Sequence, residues 1–214
     1  MKRATACILL LISIPTLVLS QGAPKIVTLG VKTNETEKYG RMPLGAKVAV
    51  FCRNPNQSLK GKISTLRFYI GKDGFYKAPF KVHMYTLNAA DSTPGQDMIL
   101  DNLVVSADKS GWLEVNVTKY GIDIPANGFF VAMEWIYTKP DYTQKDTTYS
   151  SNEEQFTSHG YGQTIGTITD SPDLGSLTYF KNLGGHRWGR FMLPDMDGKS
   201  HVINALIQAE VSAE

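Results

Sequence analysis

Four histidines, His83, His159, His186 and His201, are the side chains best suited to hold zinc or to move a proton near neutral pH. None lies in a His-x-His or His-Glu-x-x-His spacing, so no zinc site is expected from the local pattern. His83 falls opposite the apolar face of an alternating segment and reads as an outward strand residue. Asp195 and Asp197, followed by the turn-forming Gly198, begin a calcium loop, because hard oxygen ligands at alternating positions suit that ion. An EF-hand would continue with an oxygen ligand at Lys199 and a bidentate Glu at Leu206, and neither residue supplies one. An acidic β-turn, with calcium only as a weak alternative, is therefore the expectation, and no other cofactor is expected.

Nucleophile and phosphate motifs fail at identifiable positions. No Gly-x-Ser-x-Gly occurs to build the strained turn of a serine hydrolase. Gly198-Lys199-Ser200 resembles the end of a phosphate loop, but its first glycine would be Leu193. Gly160-Tyr161-Gly162 begins a dinucleotide fingerprint that stops at Ile165.

Sugar recognition needs exposed rings that stack on the apolar face of a pyranose, with amides and carboxylates nearby for the hydroxyls. Trp112, Tyr69 and Tyr85 lie opposite apolar strand faces, and the polar stretch 138–163 carries Tyr142, Tyr149, Phe156 and Tyr161. Trp112, Tyr69, Tyr85, Tyr142 and Tyr161 are the candidate ligand-binding residues, while Trp135 and Trp188 are expected to fill the core. No catalytic residue is assigned. Cleavage of a glycan would need two carboxylates held several ångströms apart, which scattered acids do not specify.

The elements that must position these rings follow from pattern and composition. The chain has 214 residues, 42% hydrophobic and 20% charged, an ordinary globular composition. Residues 1–20 read as a secretory signal: Lys2 and Arg3 open it, an apolar run from Ala4 to Leu19 follows, and Ser20 offers a short side chain for cleavage. That run, interrupted by Ser13 and Pro15, is shorter than the ~20 residues a spanning helix needs. Removing Lys2 and Arg3 lowers the formal charge from +2 to zero, so neither nucleic acid nor an anionic membrane is an expected partner. Of the two cysteines, Cys7 lies in the leader. Cys52 shares a face with Val48 and Val50 and reads as a buried small hydrophobe. No internal disulfide and no acyl anchor are expected, and the product should be soluble with no transmembrane segment.

Period-two alternation dominates the rest. Leu66, Phe68 and Ile70 oppose Arg67 and Tyr69; Phe80, Val82 and Met84 oppose Lys81, His83 and Tyr85; Leu113, Val115 and Val117 oppose Glu114 and Asn116. Ile203, Ala205, Ile207, Ala209 and Val211 continue the pattern to the end of the chain. The nearly unbroken apolar run Phe129 to Ile136 fits a central strand covered on both faces. Turn residues at 71–74, 110–111, 127–128 and 184–185 separate the runs. An all-β, antiparallel β-sandwich of jelly-roll-like topology follows, as a single domain over 21–214 with a long polar loop at 138–163.

The series Gly111-Trp112-Leu113-Glu114-Val115-Asn116-Val117, Tyr120-Gly121-Ile122 and Phe129-Phe130-Val131-Ala132-Met133-Glu134-Trp135 resembles a family of Bacteroidetes envelope domains. That family shows a Gly-Trp strand, a Lys-Tyr turn and an apolar strand ending Glu-Trp. Leu66-Arg67-Phe68-Tyr69-Ile70, Phe80-Lys81-Val82, and Thr178-Tyr179-Phe180-Lys181-Asn182 with Trp188 extend the likeness, which covers roughly 40–209. Similar segments occur in proteins described as carboxypeptidase-like regulatory domain-containing. The resemblance implies an exported sandwich of a Gram-negative envelope and supplies no catalytic residue, substrate or cofactor. The expected function is an exported, non-catalytic module that binds an envelope protein or polysaccharide. The alternative is an envelope hydrolase using 138–163 as a lid.

Overall fold

The computed structural model describes residues 25–31, 33, 36, 38–145, 147–151, 154–158, 160–169, 177–194 and 200–214. The stretch 1–20, expected to be a secretory signal, and the candidate calcium ligands Asp195 and Asp197 lie outside the described residues. In chain order the strands are β1 (Lys25–Gly30), β2 (Lys38–Gly40), β3 (Lys47–Cys52), β4 (Gly61–Ile70), β5 (Phe80–Leu87), β6 (Pro94–Asp97), β7 (Val104–Val105), β8 (Gly111–Asn116) and β9 (Phe129–Trp135). They continue with β10 (Thr147–Ser151), β11 (Glu154–Ser158), β12 (Ile165–Thr169), β13 (Thr178–Lys181), β14 (Gly189–Arg190), β15 (Met192–Pro194), β16 (Ser200–Ala205) and β17 (Ile207–Ala213).

Among the described residues one sheet has eight strands in the order β1-β17-β4-β12-β16-β15, with β2 on β12 and β8 on β4. The other has seven in the order β14-β13-β3-β9-β5-β6, with β7 on β5. The chain is thus an all-β antiparallel sandwich, as the alternation predicts. Its long strands follow jelly-roll order, with β1-β17-β4-β8 facing β3-β9-β5-β6 and the chain changing sheet at every step of that series except β5 to β6. Everything from β10 to β16 is inserted between the last two strands of the roll. The stretch 138–163, expected as a long polar loop, carries a short helical turn (Pro140–Tyr142) and the two-stranded hairpin of β10 with β11.

The core forms because the predicted inward rows meet. Val48, Val50 and Cys52 from β3, Leu66, Phe68 and Ile70 from β4, and Phe80, Val82 and Met84 from β5 are all fully buried, with Ile207, Ala209 and Val211 from β17. The Phe68 and Phe80 rings meet edge-on across the two layers, 5.3 Å between centroids. Burial pushes the Cys52 thiol well above its ordinary pKa, so it packs as an apolar group, as expected. Trp135 fills the core as expected, and its indole Nε1 donates to the Gln163 carbonyl at 2.8 Å, tying the insertion to the roll. The turn into β9 requires Gly128. Its φ is 83°, and a Cβ would lie 2.7 Å from the Cys52 carbonyl oxygen. No helix among the described residues is long and apolar enough to cross a membrane.

Phe68→Ala removes a fully buried ring and is expected to cost about 3–5 kcal/mol in denaturant unfolding. Leu100→Ala, at a side chain 89% exposed, should change stability by roughly 0.5 kcal/mol or less.

Candidate functional site

The outer face of the first sheet brings Tyr69 and Trp112 together. They are partners in the β4–β8 register, and their rings meet edge-on at 5.3 Å. Tyr69 lies directly against the backbone of Gly166, where a Cβ would come within 2.7 Å of the ring. One register step away, Arg67 sits between Gln208 on β17 and Glu114 on β8. Its guanidinium donates to the Gln208 side-chain oxygen at 3.0 Å, pairs with Glu114 at 3.3 Å and Glu210 at 3.8 Å, and stacks 4.9 Å from the Trp112 ring centre. Gln208 is itself fixed by donating to the Val31 carbonyl at 2.7 Å. The result is a half-buried ring pair beside a row of charged groups on one face, with the Gln208 amide buried at 3% exposure and fully engaged. The indole N–H of Trp112 is buried and has no hydrogen-bond partner, so that ring offers a surface rather than a polar handle.

Tyr142 and Tyr161 lie together at one end of the sandwich. Tyr142 packs 5.8 Å from Phe75, with the Lys139 ammonium 4.5 Å over its ring. Tyr161 is buried. Its hydroxyl accepts the Thr138 and Lys139 backbone N–H groups at 2.9 and 3.1 Å and donates to the Lys139 carbonyl at 2.9 Å. It therefore brackets the start of the insertion, and its neighbour Tyr137, 61% exposed, is the ring that faces solvent there. Gln144 likewise donates to the Gly162 carbonyl at 2.7 Å. Tyr149 and Phe156 fall in β10 and β11.

Tyr85 lies on the outer face of the second sheet, where the sequence reading missed a charged cluster. His83 does point outward from β5, yet it is only 3% exposed. Its Nδ1 is 2.6 Å from Asp97 and its Nε2 2.7 Å from Glu134, which also binds Lys47 at 3.1 Å. A carboxylate only accepts, so both ring nitrogens donate and the ring is an imidazolium. Burial alone would lower the His83 pKa. The hydrogen bonds to Asp97 and Glu134, with the Asp97 charge, overcome that and the opposing Lys47 charge to raise it. Hydrogen bonding to His83, aided by Lys47, lowers Glu134 to about 2 against its burial. Tyr85 stacks on the imidazolium at 5.3 Å and 14°, and burial, with the Asp97 and Glu134 charges, raises its phenol pKa.

Trp188, expected in the core, is instead half-buried on this outer face, meeting Tyr85 at 5.8 Å. The β13–β14 connection carries it there. With Tyr179 it covers Ala49 and Ala132, whose small side chains leave the space. Nothing local in the sequence gives the partners of His83, since Glu134 lies 51 residues away.

Both His83 nitrogens are occupied, so the ring has no free lone pair with which to act as a base. Among the described residues no group of three or more His, Cys, Asp or Glu could hold a metal ion. A shallow hollow of about 380 Å³ at the other end of the sandwich, lined by Pro55, Leu59, Lys60 and Glu214 among others, holds no aromatic ring. The chain matches no family model, no curated protein and no solved structure.

The imidazolium clamp predicts a pH profile. Its contribution is complete below the unfolded histidine value of 6.5 and is lost as pH rises through the raised folded value. The Glu134 contribution is present above 4.5 and is lost as pH falls toward about 2. Asp97→Ala should lower stability by about 1–3 kcal/mol between those limits, with the gap to the parent chain closing at alkaline pH in thermal melts. A gap that stays constant into the alkaline range would contradict the charged ring.

Proposed function

We propose that this chain is an exported, non-catalytic recognition module of a bacterial cell envelope, which holds a polysaccharide or an envelope protein on the Tyr69–Trp112 face. The observation that carries this reading is the placement of that ring pair beside Arg67, Glu114, Gln208 and Glu210 on one sheet face. A pyranose lays its C–H face on an aromatic ring, and its hydroxyls pair with carboxylates and guanidinium groups. The rigid sheet fixes those groups before the ligand arrives, which lowers the ordering cost of binding. The likeness to Bacteroidetes envelope domains and the leader at 1–20 support export as the setting.

The test is a glycan array together with pull-down from envelope extracts. Trp112→Ala should weaken binding about tenfold or more, equal to roughly 1.4 kcal/mol. A glycan bound equally by parent and variant would remove this face from the reading, and a flat array would remove the polysaccharide. Export makes its own demand: the protein recovered from outside the inner membrane should begin at Gln21 on N-terminal sequencing.

A further inference from the structure

The register of the second sheet sets four charged side chains in one row across its outer face. Lys181 on β13 pairs with Lys47 on β3, Lys47 with Glu134 on β9, and Glu134 with Lys81 on β5. At ~4.8 Å per strand the row spans about 14 Å. Like charges directly opposite in a ladder destabilise a sheet, so the Lys181–Lys47 pair is a cost that folding does not explain. The carboxylates that could offset it are already engaged: Glu134 binds Lys47 and His83, and Asp97 binds His83. Lys81 and Lys181 form no ion pair among the described residues.

The next row adds Arg190, stacked 4.1 Å over Tyr179. Trp188 lies beside the first row, its ring 5.9 Å from the Lys181 ammonium. From 178 to 194 the chain carries Lys181, His186, Arg187 and Arg190 and no acid. Asp91 also acts electrostatically on Tyr179 there, so the basic groups that enter the argument are the two lysines of the row without an ion pair, Lys81 and Lys181.

We infer that Lys181 and Lys81, at the two ends of that row, form with Trp188 a second binding site, on the face opposite the Tyr69–Trp112 pair, and that its ligand is an acidic polysaccharide. The ring gives the stacking surface for a sugar, and the Lys81 and Lys181 ammonium groups pair with carboxylate or sulfate groups along the polymer. The inference rests on the recognition reading above for its polysaccharide, but on different residues.

Affinity electrophoresis tests it with two matched pairs of polymers: polygalacturonate against its full methyl ester, and dextran sulfate against dextran. The parent chain should bind at least one charged polymer and retain little binding to its neutral partner, with affinity falling as salt is raised. Lys181→Gln and Trp188→Ala should each weaken that binding about tenfold, with melting temperatures confirming that both variants fold. Equal binding of charged and neutral polymers, or loss on Trp112→Ala with none on Trp188→Ala, would overturn this site and leave the earlier reading standing. Binding of neither charged polymer overturns it too, and only a flat glycan array as well removes the polysaccharide from the first face.

Discussion

Burial of β9 on both faces is the constraint from which the rest of the molecule follows. Its inward residues, Val131, Met133 and Trp135, meet the first sheet, as the inward rows of any sandwich must. Its outward residues, Phe130 and Ala132, are equally apolar and would face water on an ordinary half-solvated sheet. They are covered by Tyr85 from β5, Tyr179 from β13, Phe51 from β3 and the Trp188 ring. That outer cluster buries His83 in turn. A buried imidazole without partners is costly, and Asp97 and Glu134 supply one acceptor for each nitrogen. The charged clamp is thus a consequence of covering the apolar outer side of β9, whose polar outward residue, Glu134, is itself one of the two acceptors.

The two outer faces have solved different problems. The first sheet carries alternating strands, so its outward residues are polar and pair with one another: Arg67 with Glu114, Glu210 and Gln208. Trp112 and Tyr69 are half-buried by that network, with Gly166 admitting the Tyr69 ring. On the second sheet the aromatic side chains form a small core of their own, and the charged groups are pushed to its border. A ring such as Tyr85, at 8% exposure, acts there as support for Trp188 more than as a contact surface.

Much of the architecture was legible in the sequence because alternation reports which side of a strand faces the core. It assigned Phe68, Val82, Val115 and Ile207 inward and Arg67, Tyr69, Trp112 and Tyr85 outward, and the described strands bear this out. Alternation is silent on what lies above an outward residue. That is why His83 read as a surface group and Trp188 as a core group, while the β13–β14 connection, with its Gly184–Gly185 turn, lays Trp188 over the sheet. Pairing partners were equally hidden, since they depend on register between strands far apart in the chain. The stretch 138–163 read as a loop because its Thr and Ser residues pair in a hairpin with no apolar alternation to mark it.

Electrostatics distinguishes the basic row from the clamp beside it. His83, Asp97, Glu134 and Lys47 are mutually neutralising, and each bond in that group links two strands, so the set explains itself as a fold feature. Lys81 completes no such link, and Lys181 faces another lysine across the ladder. Sheet stability would favour an acid or a threonine at position 181. Replacing Lys181, which forms no ion pair and touches the fold through the Trp188 ring 5.9 Å away, therefore separates the two roles: loss at His83 is read in folding, and loss at Lys181 chiefly in affinity for a polyanion.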